Sequence, residues 1–218
     1  MNKPKLYYDK AELLFDNKYL KIYGLEYIEG RQYMNASRRP KSDLPSLKND
    51  EEFKKMIPDA VSCVVILNEE EPKLLLSYEF RYPVGQFVFS VPAGLIDAKD
   101  KENDNPVISA AIRELKEEIN AEVSQEDKIS IINPLLFSSP GMTDESNALV
   151  CVVIEKPEKL NLNQDGAEDT ECFDGYEAIS IEKATELVKK GVDDNGNFYS
   201  VYTFMALMYF ISGMWKQA

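Results

Sequence analysis

The stretch PVISAAIRELKEEIN, residues 106–120, decides how the rest of the chain is read. Proline in a first turn is a helix start signal. Ile108, Ala111, Leu115 and Ile119 then recur at helical spacing as one apolar stripe. The spacing predicts an amphipathic helix from Pro106 to about Asn120. Along it, the run Arg113-Glu114-Leu115-Lys116-Glu117-Glu118 puts Glu114 and Glu118 one turn apart on one face, with Glu117 beside them. Like charges at that spacing destabilise a bare helix by about 0.2–0.5 kcal/mol. A cation among them reverses the sign of that effect. A solvated acidic helix face gives the same pattern, so the neighbouring sequence has to decide.

Upstream, Phe87–Val91 reads as a strand that ends at Pro92-Ala93-Gly94, and a polar loop from Asp97 to Asn105 leads into the helix. Before that, Val61–Leu67 and Lys73–Tyr78 are apolar runs separated by the acidic turn Asn68–Pro72, the pattern of a hairpin. Nearer the start, Ala11–Asp16, Leu20–Tyr27 and Arg31–Ser37 alternate as strands do, with Glu29-Gly30 marking a turn. Downstream, strands are expected at Ile129–Phe137 and Ala148–Glu155, joined by the loop Ser138–Ser146. An acidic loop from Pro157 to Asp174 precedes a strand at Tyr176–Ile181, a helix at Glu182–Lys190 and a largely buried helix at Tyr199–Met214. This order implies an α+β fold, a mixed sheet sandwiched between helices and preceded by an antiparallel β appendage. The expected division is an appendage over 1–50 and a catalytic domain over 51–218.

Composition narrows the chemistry. The 218 residues carry a formal charge of −13, which argues against a nucleic-acid partner, since such binding needs clustered Lys and Arg. There is no histidine, which removes Ser–His and Cys–His nucleophiles, imidazole-based zinc sites and a His general base. No apolar run reaches the roughly 18 residues of a membrane span, and residues 1–10 hold no signal-peptide core. Of three cysteines, Cys63 and Cys151 fall inside strand-like apolar runs and read as buried thiols rather than a disulfide framework. The expected compartment is the cytoplasm.

The segment Val91-Pro92-Ala93-Gly94-Leu95-Ile96-Asp97 followed by the glutamate helix resembles the Nudix box. That pattern runs Gly, five residues, Glu, seven residues, then Arg-Glu-apolar-any-Glu-Glu-any-Gly-apolar. Gly94, Arg113, Glu114, Leu115, Glu117 and Glu118 match in type and order, and Ala121 takes the final apolar place. Two departures stand out. Arg113 follows Gly94 by 19 positions rather than 14, so five residues are inserted. With the gap placed first, the early glutamate falls on Asn105, with Glu102 or Asp104 as replacements. The late glycine is Asn120, a residue that also enters left-handed backbone. Tyr78–Gly85, Ser138–Glu145 and Asp16–Lys21 resemble, in the same order, the ADP-ribose pyrophosphatase branch of that superfamily.

The resemblance implies a magnesium-dependent hydrolase, with manganese as a possible substitute. It would cut the diphosphate of ADP-ribose or another nucleotide sugar to AMP (NMP) and a sugar phosphate. Glu114 and Glu118 would be the principal metal ligands, joined by Glu117 and the carbonyl of Ala93. Arg113 would orient the box by pairing with a carboxylate; a plain i,i+4 pair with Glu117 is the other reading. The general base would come from the late acidic loop, with Glu171 chosen and Glu168 in reserve. Tyr19 and Tyr33 align with adenine-stacking aromatics, although strand packing explains many of the chain's 12 tyrosines. Arg38 and Arg81 are candidates for phosphate or ribose, because guanidinium binds phosphate bidentately. Gly141 completes the substrate set. A homodimer built through the β appendage is implied as well. Other substrates (UDP- or GDP-sugars, dinucleotides) and a non-catalytic nucleotide-binding module remain the alternatives.

Overall fold

The computed structural model describes residues 4–166 and 171–217. The chain forms two compact units, one comprising 1–59 with 135–147 and the other 60–134 with 148–218.

In the first unit, β1 (Ala11–Asp16), β2 (Lys21–Ile28) and β3 (Arg31–Ser37) form an antiparallel sheet in chain order. Gly30, at positive φ, makes the β2–β3 turn. Its core is small: Ala11, Tyr23, Leu25 and Leu44. A short helix, α1 (Asp50–Lys54), starts on a capping box in which Asn49 and Glu52 satisfy each other's backbone N–H. The segment 139–145 lies along β3: Ala36 N–H donates to the Met142 carbonyl at 3.0 Å, and Ala36 bridges Thr143 in parallel register. The buried Arg39 guanidinium ties this unit together, reaching Asp59 at 2.9 Å, the Ile57 carbonyl at 3.0 Å and Ser146 Oγ at 3.2 Å.

The second unit is organised on β4 (Ala60–Leu67), β5 (Lys73–Arg81), β6 (Gln86–Ser90) and β7 (Ala93–Leu95), then α2 (Pro106–Ile119), β8 (Lys128–Phe137), β9 (Ser146–Ile154) and β10 (Phe173–Ile179). The sheet order is β10-β5-β4-β9-β8, with β6 on β5 and β7 on β4. β4 and β5 are antiparallel, as the hairpin reading expects. β9 runs alongside β4 in the same direction, because the bonds Asp59 N–H to Ser146 O and Asn68 N–H to Ile154 O join their matching ends. The sheet is therefore mixed, and the fold is the α+β sandwich expected. Every residue of β4 and β9 is buried. That is why both read as unbroken apolar runs. Val61, Cys63 and Val65 of β4 and Val150 and Val152 of β9 pack against Ala111, Leu115 and Ile119 of α2. The final helices, α3 (Ile181–Lys190) and α4 (Val201–Ser212), close the unit, and Thr203 Oγ1 of α4 donates to the Phe89 carbonyl at 2.8 Å.

Two elements differ from the reading of the chain. Ala93–Leu95 continues as a strand on β4 instead of ending one. The last helix starts at Val201, where Ser200 caps Thr203 N–H, and it exposes Val201, Phe204 and Met208 rather than being largely buried. Among the described residues, no helix is long and apolar enough to cross a membrane. Cys63 and Cys151 are buried free thiols, as expected.

Candidate active site

The site residues of the second unit are placed by two elements, α2 and the β6–β7 connection. Asn105 caps α2 by accepting from Ile108 N–H, and Pro106 occupies the first turn. The other end stops at Asn120, whose φ of 53° is left-handed, with Ala121 N–H closing onto the Leu115 carbonyl at 2.9 Å. Asparagine thus meets the conformational demand of the box's glycine.

Between these caps, Glu114 and Glu118 are both buried, on the face that carries Leu115 and Ala111 into the core. The β7 strand lies against that face. The Glu118 carboxylate accepts from Ala93 N–H at 3.2 Å. A Cβ on Gly94 would run into the Glu114 carboxylate as it stands, so glycine gives that side chain its room where β7 passes the helix. Arg113 extends across the top of this arrangement. Its guanidinium meets Asp100 at 2.9 Å, Glu114 at 2.8 Å, Glu117 at 2.7 Å and the Leu95 carbonyl at 2.8 Å. Both readings of Arg113 are therefore realised: it pairs i,i+4 with Glu117, and it also pins the box loop.

Asp100 corrects the sequence reading. It is 2% exposed, accepts from Asp97 N–H and Ser109 Oγ at 3.0 Å each, and takes the Arg113 fork. It stands six positions after Gly94, where the pattern asks for the early glutamate, so the inserted residues follow it. Asn105 is a helix cap, and Glu102 and Asp104 are exposed. The signal was present in the spacing. It is obscured because aspartate stands in place of glutamate and the five extra residues lie between it and Arg113.

Electrostatically the face is built to hold positive charge. Burial pushes the Glu114 carboxyl up to about 7 against the opposing pull of Arg113, with Glu117 and Glu171 adding repulsion. Burial also holds Glu118 well above the ordinary glutamate value, reinforced by Glu79, Glu114 and Glu171, with only the Ala93 N–H opposing. Glu79 of β5 is a further buried carboxylate here that sequence reading did not single out. Phe80 N–H donates to the Cys172 carbonyl at 2.8 Å, which brings Glu171 beside β5. The charge of Glu171 acts on Glu79, Glu114 and Glu118. Arg81 reaches Glu79 at 2.6 Å. Glu168 lies outside the described residues. Residues 161–163 are bonded at the C-terminal end of α2, where Asn163 N–H donates to Ile119 O and Asn120 Nδ2 to Asn161 O.

Hard oxygen donors on one helix face, facing a strand whose glycine leaves them room, suit a hard divalent cation. As placed, Glu114 turns to Arg113 and Glu118 to Ala93. Among the described residues, no three acidic or thiol side chains stand together at metal-holding distance.

The remaining predicted residues belong to the first unit. Tyr33 is half exposed and donates its hydroxyl to the Gly141 carbonyl at 2.6 Å, so these two candidates are joined. Arg38 pairs with Glu145 at 2.8 Å at the same strand–loop junction. Tyr19 is exposed in the β1–β2 turn, with Lys18 Nζ 5.2 Å from its ring centroid.

A mixed sheet lies between helices, with a capped glutamate helix against a glycine-bearing strand. The NUDIX domain pattern matches residues 56–202, and the chain belongs to that family. It is 33% identical over 138 residues to an uncharacterized Nudix hydrolase of Schizosaccharomyces pombe, covering 61% of this chain and 63% of that one. It is also 33% identical over 127 residues to the ADP-ribose pyrophosphatase of Saccharomyces cerevisiae, covering 57% and 50%. The chain thus spans between half and two thirds of the length of these curated relatives. Among solved structures, it resembles an ADP compounds hydrolase with a TM-score of 0.59 and 16% identity, covering 100% of this chain and 97% of that one, a likeness of fold.

Proposed function

We propose that this chain hydrolyses the diphosphate bond of a nucleoside diphosphate derivative, with ADP-ribose or a related nucleotide sugar as the substrate class. The observation that carries the reading is the pair Glu114 and Glu118, buried one turn apart against Ala93-Gly94 and held in register by the Arg113–Asp100 fork. Magnesium, or manganese in its place, would be held by Glu114, Glu118 and the Ala93 carbonyl with help from Glu117. When bound it supplies charge neutralisation on the phosphates and acidifies nearby water.

The residues of the chain do the rest. Arg113 fixes the loop and helix that carry the donors. Arg81 supplies a half-exposed guanidinium for a phosphate oxygen. Glu171 takes a proton from the attacking water, as its place among Glu79, Glu114 and Glu118 allows. Tyr19, Tyr33, Arg38 and Gly141 are proposed contacts for base and ribose. A homodimer through the three-stranded sheet and a cytoplasmic setting, consistent with the free thiols, belong to the same proposal.

The test is a turnover screen over ADP-ribose, NADH, diadenosine polyphosphates and UDP-, GDP- and ADP-sugars, with magnesium and with chelator. Release of AMP from ADP-ribose only with magnesium is the expected result. No turnover of any member of the panel would refute the reading. Within it, Glu171→Gln should lower kcat by at least about a hundredfold, the usual scale of general-base assistance. A near-wild-type kcat would remove Glu171 from that role.

A further inference from the structure

Among the described residues, Glu79 is the buried carboxylate near α2 that the proposed chemistry leaves unassigned. It is 8% exposed and lies near the end of β5, between Phe173 of β10 on one side and Val88 of β6 on the other. Side chains two apart on a strand share a face. Glu79 and Arg81 therefore project together, and their side chains meet at 2.6 Å, the carboxylate deep and the guanidinium 45% exposed. The register of β10 against β5 has Phe173 opposite Glu79. Just before it, Phe80 N–H donates to the Cys172 carbonyl, so the chain next to Glu171 runs beside the end of β5. On the helix side, after burial itself, the charge of Glu79 is the largest influence on Glu118. Glu79 thus stands between the cation-holding helix and the proposed phosphate-binding guanidinium.

A buried carboxylate paired with a half-exposed arginine contributes little to stability, because desolvation offsets the attraction. What the pair does supply is a fixed direction. An arginine side chain otherwise samples many rotamers and loses that freedom when held. One anchored by a buried carboxylate two residues away is already held before substrate arrives.

We infer that Glu79 is a positioning residue: it holds the Arg81 guanidinium beside the carboxylate helix, so that a substrate phosphate meets a preset cation. This rests on the proposed diphosphate hydrolysis and adds to it a determinant of phosphate binding in the same site. Glu79 acts through Arg81 rather than on the reacting atoms.

The test is a double-mutant cycle of Glu79→Ala and Arg81→Ala in the full chain, read as KM and kcat for ADP-ribose at saturating magnesium, with Glu79→Gln as the conservative variant. Glu79→Ala should raise KM at least about tenfold while kcat stays within about threefold, the signature of lost binding energy. In the Arg81→Ala background the same change should do nothing further, and Glu79→Gln should fall between wild type and Glu79→Ala. Thermal unfolding should be unchanged or shifted upward for Glu79→Gln. Additive effects in the two backgrounds would overturn the inference. So would a fall in kcat with KM unchanged, which would place Glu79 on the reacting groups. If wild type turns over nothing in the screen, the proposed function fails on its own account. The cycle is then read on ADP binding by calorimetry, where an absence of coupling overturns the Glu79–Arg81 inference separately.

Discussion

β4 and β9 bury every residue they contain, whereas β1 buries only Ala11 and β3 leaves its first four residues exposed. The two sheets use similar residue types to different ends. In the second unit, coverage on both faces turns the central strands into a rigid base on which α2 is seated. In the first, a small core under one face leaves Phe15, Tyr27, Ile28 and Met34 open. A catalytic constellation must be held to within a fraction of an ångström. The glutamates proposed to hold the metal accordingly sit on the covered unit. Aromatic stacking tolerates more latitude, and the proposed base contacts sit on the open one.

The contrast is broken most directly in the core. Ile66, fully buried on β4, should cost about 2–5 kcal/mol on truncation to alanine, from lost transfer energy and the cavity left behind. Urea unfolding measures it. A loss below about 1 kcal/mol would mean that the covered sheet is not the stable base described, and the difference between the units would be one of appearance only.

Glu118→Gln tests whether that base serves chemistry. The amide keeps the shape and can still accept from Ala93 N–H, so circular dichroism and melting should be near wild type. Turnover should fall at least about a hundredfold, a loss of about 2.7 kcal/mol in barrier terms. Activity within about tenfold at saturating magnesium would remove Glu118 from the principal donors.

Asp100→Asn is next in size. It leaves the Arg113 guanidinium with a neutral partner where charged hydrogen bonds stood, a loss of about 1.5–3 kcal/mol. It also carries a pH signature. Burial alone would raise the Asp100 carboxyl, but hydrogen bonds from Arg113, Asp97 N–H and Ser109, with the Arg113 charge, outweigh it and hold the group below its ordinary value of 3.8. A carboxyl lowered on folding stabilises fully above its unfolded value and loses that contribution as pH falls through the folded one. The gap between wild type and Asp100→Asn should thus be complete at about pH 6 and close below 3.8. A gap independent of pH would show that the ion pair is not its source.

Much of this was legible in the chain, and the exceptions have physical causes. The 3.6-residue stripe of Ile108, Ala111, Leu115 and Ile119 located α2, and the glutamate spacing located the face on which Glu114 and Glu118 lie together, because both are local. Asn120 could be read as a left-handed stop because few residues tolerate that backbone. Asp100 was missed because an insertion moves its partner Arg113 without moving Asp100 from Gly94. Glu79 was missed because its burial and its influence on Glu118 arise from pairing and packing between elements distant in the chain, which no local pattern encodes. Tyr33 was legible as an aromatic on a strand, but its hydroxyl bond to Gly141, 108 residues away, was not.

The smallest expected effect lies on the open sheet. Phe15 and Met34 are each about half exposed, so replacing either with serine removes little burial in a single chain. Surface substitutions of this kind usually stay within about 0.5 kcal/mol. If the sheet pairs with a second copy, as proposed, those side chains are buried in the dimer and the outcome separates into two readouts. Unfolding of the dissociated chain should barely change, while the double variant Phe15→Ser with Met34→Ser should shift the light-scattering mass from about twice 24.8 kDa toward that value at micromolar concentration. Wild type that already runs at 24.8 kDa would end the dimer proposal and leave this face open in solution. A variant that stays dimeric would move the interface off the β1–β3 sheet. A large loss of stability at unchanged mass would show that the first unit depends on these side chains, so that the contrast between the units is one of degree.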